Sequence, residues 1–334
     1  MTRPQSPSQA ARPDRPDRPD PRRAPLLEDR RFLFVTGKGG VGKTTVSGAL
    51  ALAFAARGKR VLVAMCNTKE RLSAMLGSPP IGDEIIEVAG NVWAVNISPE
   101  KALREYGEMV LKVRSVAHAV FDNKYTKTFF RAVPGLSEWA MLGKAWFHTT
   151  EVLKDGSPRF DVVLLDAPAT GHGMEMLRVP RIILDVAPPG VLRRDAEAAW
   201  SMFQDPARSG VVVVTLPEEM PATETTELVS AIRDELNLPV HRLVINGVIP
   251  PLFSGDERRS LLADLRRLDI EAPAASAPAE AAIVAGARRA MREDVQHDTL
   301  LRLQRIIDLP SVTLPFLFGQ ASTPAGTRIL AGRL

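Results

Sequence analysis

Residues Gly37-Lys38-Gly39-Gly40-Val41-Gly42-Lys43-Thr44 decide the fold of this chain. They match the pattern G-x-x-x-x-G-K-[S/T], and they separate an apolar run at 32–36 from a helix-forming segment that includes 50–56. In a strand–loop–helix setting, such glycines let successive backbone N–H groups turn towards phosphate oxygens, and the helix N-terminus adds its dipole. The sequence therefore predicts a nucleotide-binding loop.

Three side chains at the end of this loop have separate predicted roles. Lys43 is expected to hold the β- and γ-phosphates, and the Thr44 hydroxyl is expected to ligate Mg²⁺. Thr45 is expected near the α-phosphate. The backbone contacts to the nucleotide are predicted at Gly37, Gly39, Gly40, Val41 and Gly42.

Short apolar runs rich in β-branched residues alternate with helical segments along the rest of the chain. Continuous apolar runs are typical of parallel strands that helices cover on both sides. We therefore predict an α/β fold with a mostly parallel sheet and helices on both faces. The runs are 32–36, 61–65, 162–166, 211–216, 243–246 and 312–316. Two more runs, 85–88 and 92–97, are joined by Gly90-Asn91 and fit either a hairpin or further strands of the sheet.

An α-helical insertion is predicted at about 98–154. Ser98-Pro99-Glu100 is typical of a helix start, and Pro134-Gly135 breaks the segment in two. Apolar residues at three- and four-residue steps indicate an amphipathic helix, which either packs in the core or presents a surface to a protein client. A second helical region is expected over 256–308, interrupted by a Pro- and Ala-rich stretch at 272–282.

The first 30 residues are predicted to be a disordered Pro- and Arg-rich tail, and 31–334 a single domain. Arg-Pro-Asp occurs three times between Arg12 and Asp20, and proline at every third position excludes a helix. The chain's formal net charge is +4, but residues 1–25 hold six arginines against three aspartates. The rest of the chain, which we call the body, is therefore nearly neutral, and this argues against a nucleic-acid surface.

The overall composition is that of a globular protein of the cytoplasm. Of the 334 residues, 45% are hydrophobic and 25% are charged, which excludes a disordered polymer. No apolar stretch reaches the roughly 18 residues of a membrane span. The only cysteine, Cys66, cannot form an intrachain disulfide, so a reducing compartment fits.

An acidic residue ends the predicted strand at 162–166. Asp166 is followed by Ala167-Pro168-Ala169-Thr170-Gly171-His172. A carboxylate beside a phosphate loop can bind hydrated Mg²⁺, and a glycine-containing loop beyond it can respond to the γ-phosphate. His172 can alternatively be a general base, although a role in this switch loop is favoured.

These motifs together resemble the arsenite-pump and tail-anchored-protein-targeting ATPases, a group of deviant phosphate-loop ATPases. Lys38 is similar to their signature lysine, and Asp166, Thr170, Gly171 and His172 are similar to their switch. The resemblance implies a P-loop NTPase fold, ATP and Mg²⁺ as cofactors, and a homodimer or a heterodimer with a paralogue. It also implies that Lys38 reaches the partner's nucleotide, that Asn246 and Pro315 contact adenine, and that Gly171 lies near the phosphates.

The chain departs from this family at the residue that positions the attacking water. Asn67 stands where the family has aspartate, and an amide cannot accept the proton of water. The predicted catalytic residues are therefore Lys38, Asn67 and Asp166, with weak turnover expected from Asn67. Two alternatives are open: Glu70 substitutes as the base, or a paralogous partner carries the complete switch.

Two known substrates of the family, arsenite and tail-anchored proteins, cannot be assigned to this chain from the resemblance. One cysteine cannot form the thiolate cluster that arsenite needs, and the C-x-x-C zinc clamp of eukaryotic targeting members is absent. The leading hypothesis is a dimeric, Mg·ATP-dependent switch ATPase with an unknown client, bound through the helical insertion. The alternative is an ATP-binding regulatory subunit with little hydrolysis. A partition-like DNA or membrane ATPase fits less well, because the body is nearly neutral and 323–334 is short for an amphipathic anchor.

Overall fold

The computed structural model describes residues 26–111, 135–168, 172–267 and 278–334. Its strands are β1 (Phe32–Gly37), β2 (Val61–Cys66), β3 (Ile86–Ala89), β4 (Val92–Ile97), β5 (Val162–Asp166), β6 (Ser209–Thr215), β7 (Val240–Val248) and β8 (Ser311–Pro315). Its α-helices are α1 (Lys43–Ala56), α2 (Leu72–Leu76), α3 (Pro99–Leu111), α4 (Leu136–Phe147), α5 (His172–Val186), α6 (Val191–Gln204), α7 (Glu219–Ser230), α8 (Gly255–Arg267), α9 (Pro278–Ile306) and α10 (Pro324–Ala331). A 3₁₀ helix spans Leu27–Asp29, and a π-helical segment spans Ala231–Glu235.

The eight strands form one sheet in the order β3-β4-β2-β5-β1-β6-β7-β8. All neighbouring strands are parallel except β3 and β4, which pair antiparallel at one edge. The two runs joined by Gly90-Asn91 are therefore both a hairpin and part of the sheet. Asn91 has a φ of 61°, which suits the short turn. The predicted α/β class is confirmed.

Alternating residues of each central strand face two separate cores. On β1, Phe32 and Phe34 pack into one core, whereas Leu33 and Val35 pack into the other. The first core lies under α4, α5, α6 and the C-terminal part of α9, and the second lies under α1, α2 and α10. Because strands buried on both faces need apolar residues throughout, the unbroken apolar runs of the sequence follow from this arrangement.

The strand order places the predicted site at one edge of the sheet. β1 lies between β5 and β6, and β2 lies on the far side of β5. The loop after β1, Asp166 at the end of β5 and Asn67 after β2 therefore leave the carboxyl ends of three adjacent parallel strands. Ligands of open parallel sheets bind at this edge.

The beginning of the fold differs from the predicted boundary. Leu27 and Arg30 are buried, and the 3₁₀ helix at Leu27–Asp29 lies within the segment predicted as a tail. The folded part thus includes residues 27–30, because Leu27 packs into the second core. Residues 1–25 lie outside the described part of the chain.

The two predicted helical regions are described in part. α3 begins at Pro99 and α4 begins directly after Gly135, as predicted, and 112–134 lie outside the described residues. α9 begins at Pro278, within the stretch predicted to interrupt the second region, because proline is tolerated in the first turn of a helix.

The C-terminal helix is part of the core. The Thr327 hydroxyl in α10 donates to the Met75 carbonyl oxygen at 2.9 Å, and Leu330 is buried. α10 therefore stabilises the second core by packing against α2. Within the described ranges, no helix combines the length and the apolar character needed to cross a bilayer.

Candidate nucleotide-binding site

The loop between β1 and α1 requires glycine at two positions. Gly37 has a φ of 150°, and a Cβ there would lie 2.2 Å from the Val214 carbonyl oxygen. Gly42 has a φ of 91°, and its Cβ would lie 2.3 Å from Asn246 Nδ2. Side chains at either position would clash with neighbouring strands, so these glycines let the loop pass close to β6 and β7.

Lys43 points back into the loop that precedes it. Its Nζ donates to the carbonyl oxygens of Gly37 at 3.1 Å and of Lys38 at 3.0 Å, and the residue is 8% exposed. Burial lowers the pKa of Lys43 below its ordinary value, and the nearby carboxylate of Asp166 opposes this shift. A buried ammonium group with only carbonyl acceptors suits an anionic ligand, since phosphate oxygens would complete its coordination.

A carboxylate and two hydroxyl groups meet beside the loop. Thr44 Oγ1 donates to Asp166 Oδ2 at 2.6 Å, and Ser47 Oγ donates to Asp166 Oδ1 at 3.1 Å. Asp166 is 1% exposed. Burial raises the pKa of Asp166 to about 6, although both hydroxyl groups and Lys43 favour the charged form. The carboxyl group therefore changes charge close to neutral pH.

This group of oxygen atoms fits Mg²⁺. Magnesium prefers one or two carboxylate or hydroxyl ligands together with water and phosphate oxygens, rather than a cage of protein ligands. Thr44 and Asp166 supply such a pair. The described part of the chain contains no cluster of three or more His, Cys, Asp or Glu side chains that would instead suit a metal held by protein alone.

A cavity of about 680 Å³ extends from the loop past the ends of β7 and β8. It brings together four predicted nucleotide contacts: Gly40, Thr45, Asn246 and Pro315. Asn246 Nδ2 also donates to the Val41 carbonyl oxygen at 2.9 Å. Asn246 thus fixes the phosphate loop in addition to lining the space predicted for the base.

Comparison with known proteins agrees with this geometry. A family model described as anion-transporting ATPase matches residues 30–187, which contain the loop, β2 and Asp166. The chain belongs to the ArsA-like ATPase family. This membership supports its assignment as an ATPase.

Several ArsA-like relatives match about two thirds of the chain. ATPase BagA of Mycobacterium tuberculosis is 28% identical over 229 residues, which cover 67% of this chain and 67% of BagA. An arsenical pump-driving ATPase of Escherichia coli is 28% identical over 253 residues, 70% of this chain and 41% of that protein. ATPase ARSA1 of Chlamydomonas reinhardtii is 23% identical over 282 residues, 67% of this chain and 36% of its own length. The match thus spans less than half of the last two proteins.

Asn67 lies at the same sheet edge as Asp166 in this ArsA-like fold. Met65 on β2 is the Cα partner of Asp166 on β5, and Asn67 follows two residues later. Asn67 is exposed, has a φ of 46°, and its N–H donates to the Ile97 carbonyl oxygen at 2.9 Å. Its backbone is therefore fixed by β4, while its side chain is accessible at the nucleotide edge.

Glu70 has a structural role in the same loop. Its carboxylate accepts the Ser73 N–H at 2.6 Å and the Ser73 hydroxyl at 2.7 Å at the start of α2. The Glu70 carboxylate is therefore bonded within its own loop, whereas the Asn67 side chain is exposed at the nucleotide edge.

Lys38 forms an ion pair within its own chain. Its Nζ bonds to Glu224 Oε1 on α7, and the two side chains are 43% and 30% exposed. A cavity of about 350 Å³ adjoins this pair and is also lined by Gly173 and Thr225. The structure thus gives Lys38 a resting partner that the sequence did not predict.

Other predicted residues are described only partly or not at all. Thr170 and Gly171 lie outside the described residues. His172 begins α5, but its side chain is not described.

Two residues beside the predicted site, Ser47 and Glu224, were missed by sequence reasoning. Ser47 lies three residues after Thr44 on α1, on the same helix face, and that spacing could have identified it. By contrast, Glu224 lies 186 residues from Lys38, and no local signal points to this pair.

Proposed function

We propose that this chain is a cytoplasmic, Mg·ATP-dependent ATPase that works as a dimeric switch and couples nucleotide state to a protein client. The observation that carries this proposal is the convergence of Lys43, Thr44 and Asp166 at the loop after β1. One buried cation, one hydroxyl and one carboxylate are what the phosphates and the metal of Mg·ATP require.

Each of these groups would act on a different part of the nucleotide. Lys43, held by two carbonyl oxygens, would place its charge against the β- and γ-phosphates. Thr44 and Asp166 would hold Mg²⁺, which neutralises phosphate charge when it is bound. The cavity that Asn246 and Pro315 line would receive the base.

The switch itself would connect these groups to the helical insertion. Asp166 precedes the segment predicted as the switch, and α5 contributes Met176 and Leu177 to the same core as Trp139 of α4. A movement of the switch loop would therefore be transmitted to the insertion through packed side chains. A protein client on the surface of α3 and α4 would sense the change.

A second candidate function is favoured by Asn67. An amide can orient water but cannot take its proton, so the chain would hold Mg·ATP with little hydrolysis and act through an active paralogue. This is the regulatory-subunit alternative, and the first prediction of the Discussion separates the two.

Lys38→Ala is expected to reduce ATP-dependent dimer formation, or turnover, more than nucleotide binding. Exposed ion pairs such as Lys38–Glu224 contribute at most about 1 kcal/mol, so phosphate oxygens of a partner's nucleotide can displace Glu224. The measurement is light scattering with a non-hydrolysable ATP analogue and Mg²⁺, together with the rate of ATP hydrolysis. Lys154→Ala, which removes an exposed lysine at the end of the predicted insertion, is the control. A Lys38→Ala protein that dimerises and turns over like the Lys154→Ala protein would contradict the trans role.

A further inference from the structure

A second polar cavity lies at the opposite edge of the sheet from the phosphate loop. It has a volume of about 670 Å³ and adjoins the amino ends of β1 and β7 and the C-terminal half of α1. Its charged and polar lining consists of Glu28, Arg30, Arg57, His241 and Arg242. Its apolar lining includes Leu50 and Phe54 of α1.

An irregularity at the start of β7 places two basic residues in this cavity. Val240 pairs with Val211 on β6, but Arg242 pairs with the next residue, Val212, so His241 is an extra residue in the strand. Consecutive side chains of a regular strand face opposite sides, whereas a bulge redirects one of them. His241 and Arg242 therefore both line the same cavity.

His241 fits only because its neighbour is glycine. A Cβ on Gly210 would lie 1.9 Å from His241 Cδ2. The imidazole bonds through Nε2 to the Ser209 carbonyl oxygen at 3.1 Å, and Nδ1 lies 3.2 Å from Arg30 Nη2. Nε2 therefore carries the proton and Nδ1 accepts from Arg30. Burial and the adjacent Arg30 lower the pKa of His241, so the ring is neutral at pH 7.

Arg30 and Arg242 both line this cavity, and carbonyl oxygens hold the guanidinium group of Arg30. Arg30 is 6% exposed and donates to the carbonyl oxygens of Leu26 at 2.8 Å and of Pro206 at 3.0 Å. Burial lowers the pKa of Arg30, the nearby carboxylate of Asp29 opposes this shift, and the charge of Arg242 adds to it. Arg242 Nε is buried and has no hydrogen-bond partner among the residues that the structure describes.

The acidic residues near this cavity do not pair with Arg242. Glu28 Oε1 pairs with Arg57 Nη1 at 3.1 Å, and the charge of Asp29 acts on Arg30, which leaves Arg242 without an ion-pair partner among the residues that the structure describes. A guanidinium group with no ion-pair partner and with a buried, unbonded donor costs free energy that an anion would recover.

We propose that this cavity binds a small organic oxyanion, with phosphate or carboxylate oxygens on Arg242 and an apolar part against Leu50 and Phe54. The site is distinct from the phosphate loop because α1, about 20 Å long, has Lys43 at its first residue and this cavity beside its C-terminal half. α1 therefore connects the two sites through one rigid helix.

Titration calorimetry on the full chain tests this site, with pyrophosphate and citrate as probes at about 0.15 M salt. The protein carries Lys43→Ala, so that pyrophosphate does not bind at the phosphate loop. We expect one saturable site per chain, and Arg242→Gln should weaken it at least tenfold, as loss of a charged hydrogen-bond donor does. Arg242→Lys keeps the charge but loses the fork of donors, and should weaken binding by about threefold to fivefold.

The matched control is Arg208→Gln, since Arg208 is an exposed arginine at the same edge of the sheet but outside the cavity. It should change the affinity by less than about twofold, the size of a screened long-range effect. Binding of pyrophosphate alone would identify a phosphate ligand, and binding of citrate alone a carboxylate ligand. No saturable binding of either probe, or equal weakening by Arg208→Gln and Arg242→Gln, would overturn the proposal.

Discussion

Asn67→Asp is expected to raise the rate of ATP hydrolysis by the purified chain about 10²-fold or more. Loss of a general base usually costs roughly 10²- to 10⁴-fold in rate, and Asn67 stands where the ArsA-like family resemblance implies aspartate. The substitution should not disturb the loop, because aspartate tolerates the positive φ of 46° nearly as well as asparagine does. Steady-state phosphate release by the wild type and the variant is the measurement.

Asn91→Asp is the matched control for this experiment. Asn91 is also exposed and has a φ of 61°, but it lies in the β3–β4 turn, away from the nucleotide edge. The control should hydrolyse ATP at the slow wild-type rate. Rapid hydrolysis by the wild type that Glu70→Gln abolishes and Asn67→Asp leaves unchanged would instead assign the base to Glu70.

Asp166→Asn is expected to have two opposite effects. It should lower Mg²⁺-dependent, single-turnover hydrolysis by about 10²-fold, because it removes the carboxylate predicted to hold the metal. It should also raise the free energy of unfolding of the nucleotide-free protein at pH 7, on the order of 2 kcal/mol. The amide oxygen can still accept from one of the two hydroxyl groups, and the amide NH₂ can donate to the other, without a buried charge.

The stability effect has a defined dependence on pH. The pKa of Asp166 is about 6 in the folded chain, above its ordinary value of 3.8. A group whose pKa is raised on folding stabilises the fold while it is protonated, and this contribution is lost as the pH rises from about 4 through 6. Chemical denaturation of wild type and Asp166→Asn should therefore diverge between pH 4 and 7, with the variant more stable at the upper end.

The affinity for Mg²⁺ should change with pH in the opposite direction to the stability of the fold. The metal needs the ionised carboxylate, so its affinity for the nucleotide complex should fall as the pH drops through 6. Asp185→Asn, which changes an exposed carboxylate on α5, is the control and should show neither effect. An Asp166→Asn protein with unchanged Mg²⁺ dependence would remove Asp166 from the proposed metal site.

The parts of the site that depend on local sequence were predictable. The loop at 37–44 and Asp166 each lie directly after an apolar strand, and parallel strands bring their carboxyl ends to one edge. The position of Lys43 and the contact between Thr44 and Asp166 follow from that rule together with the first turn of α1.

Contacts between distant segments could not be predicted in the same way. The bond from Asn246 to the Val41 carbonyl oxygen joins residues 205 positions apart and depends on how β7 sits beside the loop. The bulge in β7 lets His241 and Arg242 line the same cavity, and this bulge depends on the pairing of β7 with β6. Residues 27–30 belong to the fold because Leu27 packs into the second core. The sequence of this short segment does not by itself indicate that contact.

Calorimetric titration of the wild-type chain with ATP and Mg²⁺, beside the same titration of Lys43→Ala, tests the central claim most directly. The claim is that Mg·ATP binds at the loop between β1 and α1. We expect one nucleotide per wild-type chain and at least tenfold weaker binding by Lys43→Ala, a difference of about 1.4 kcal/mol, with Lys154→Ala unchanged. Equal affinity of the wild type and Lys43→Ala for Mg·ATP would contradict the claim.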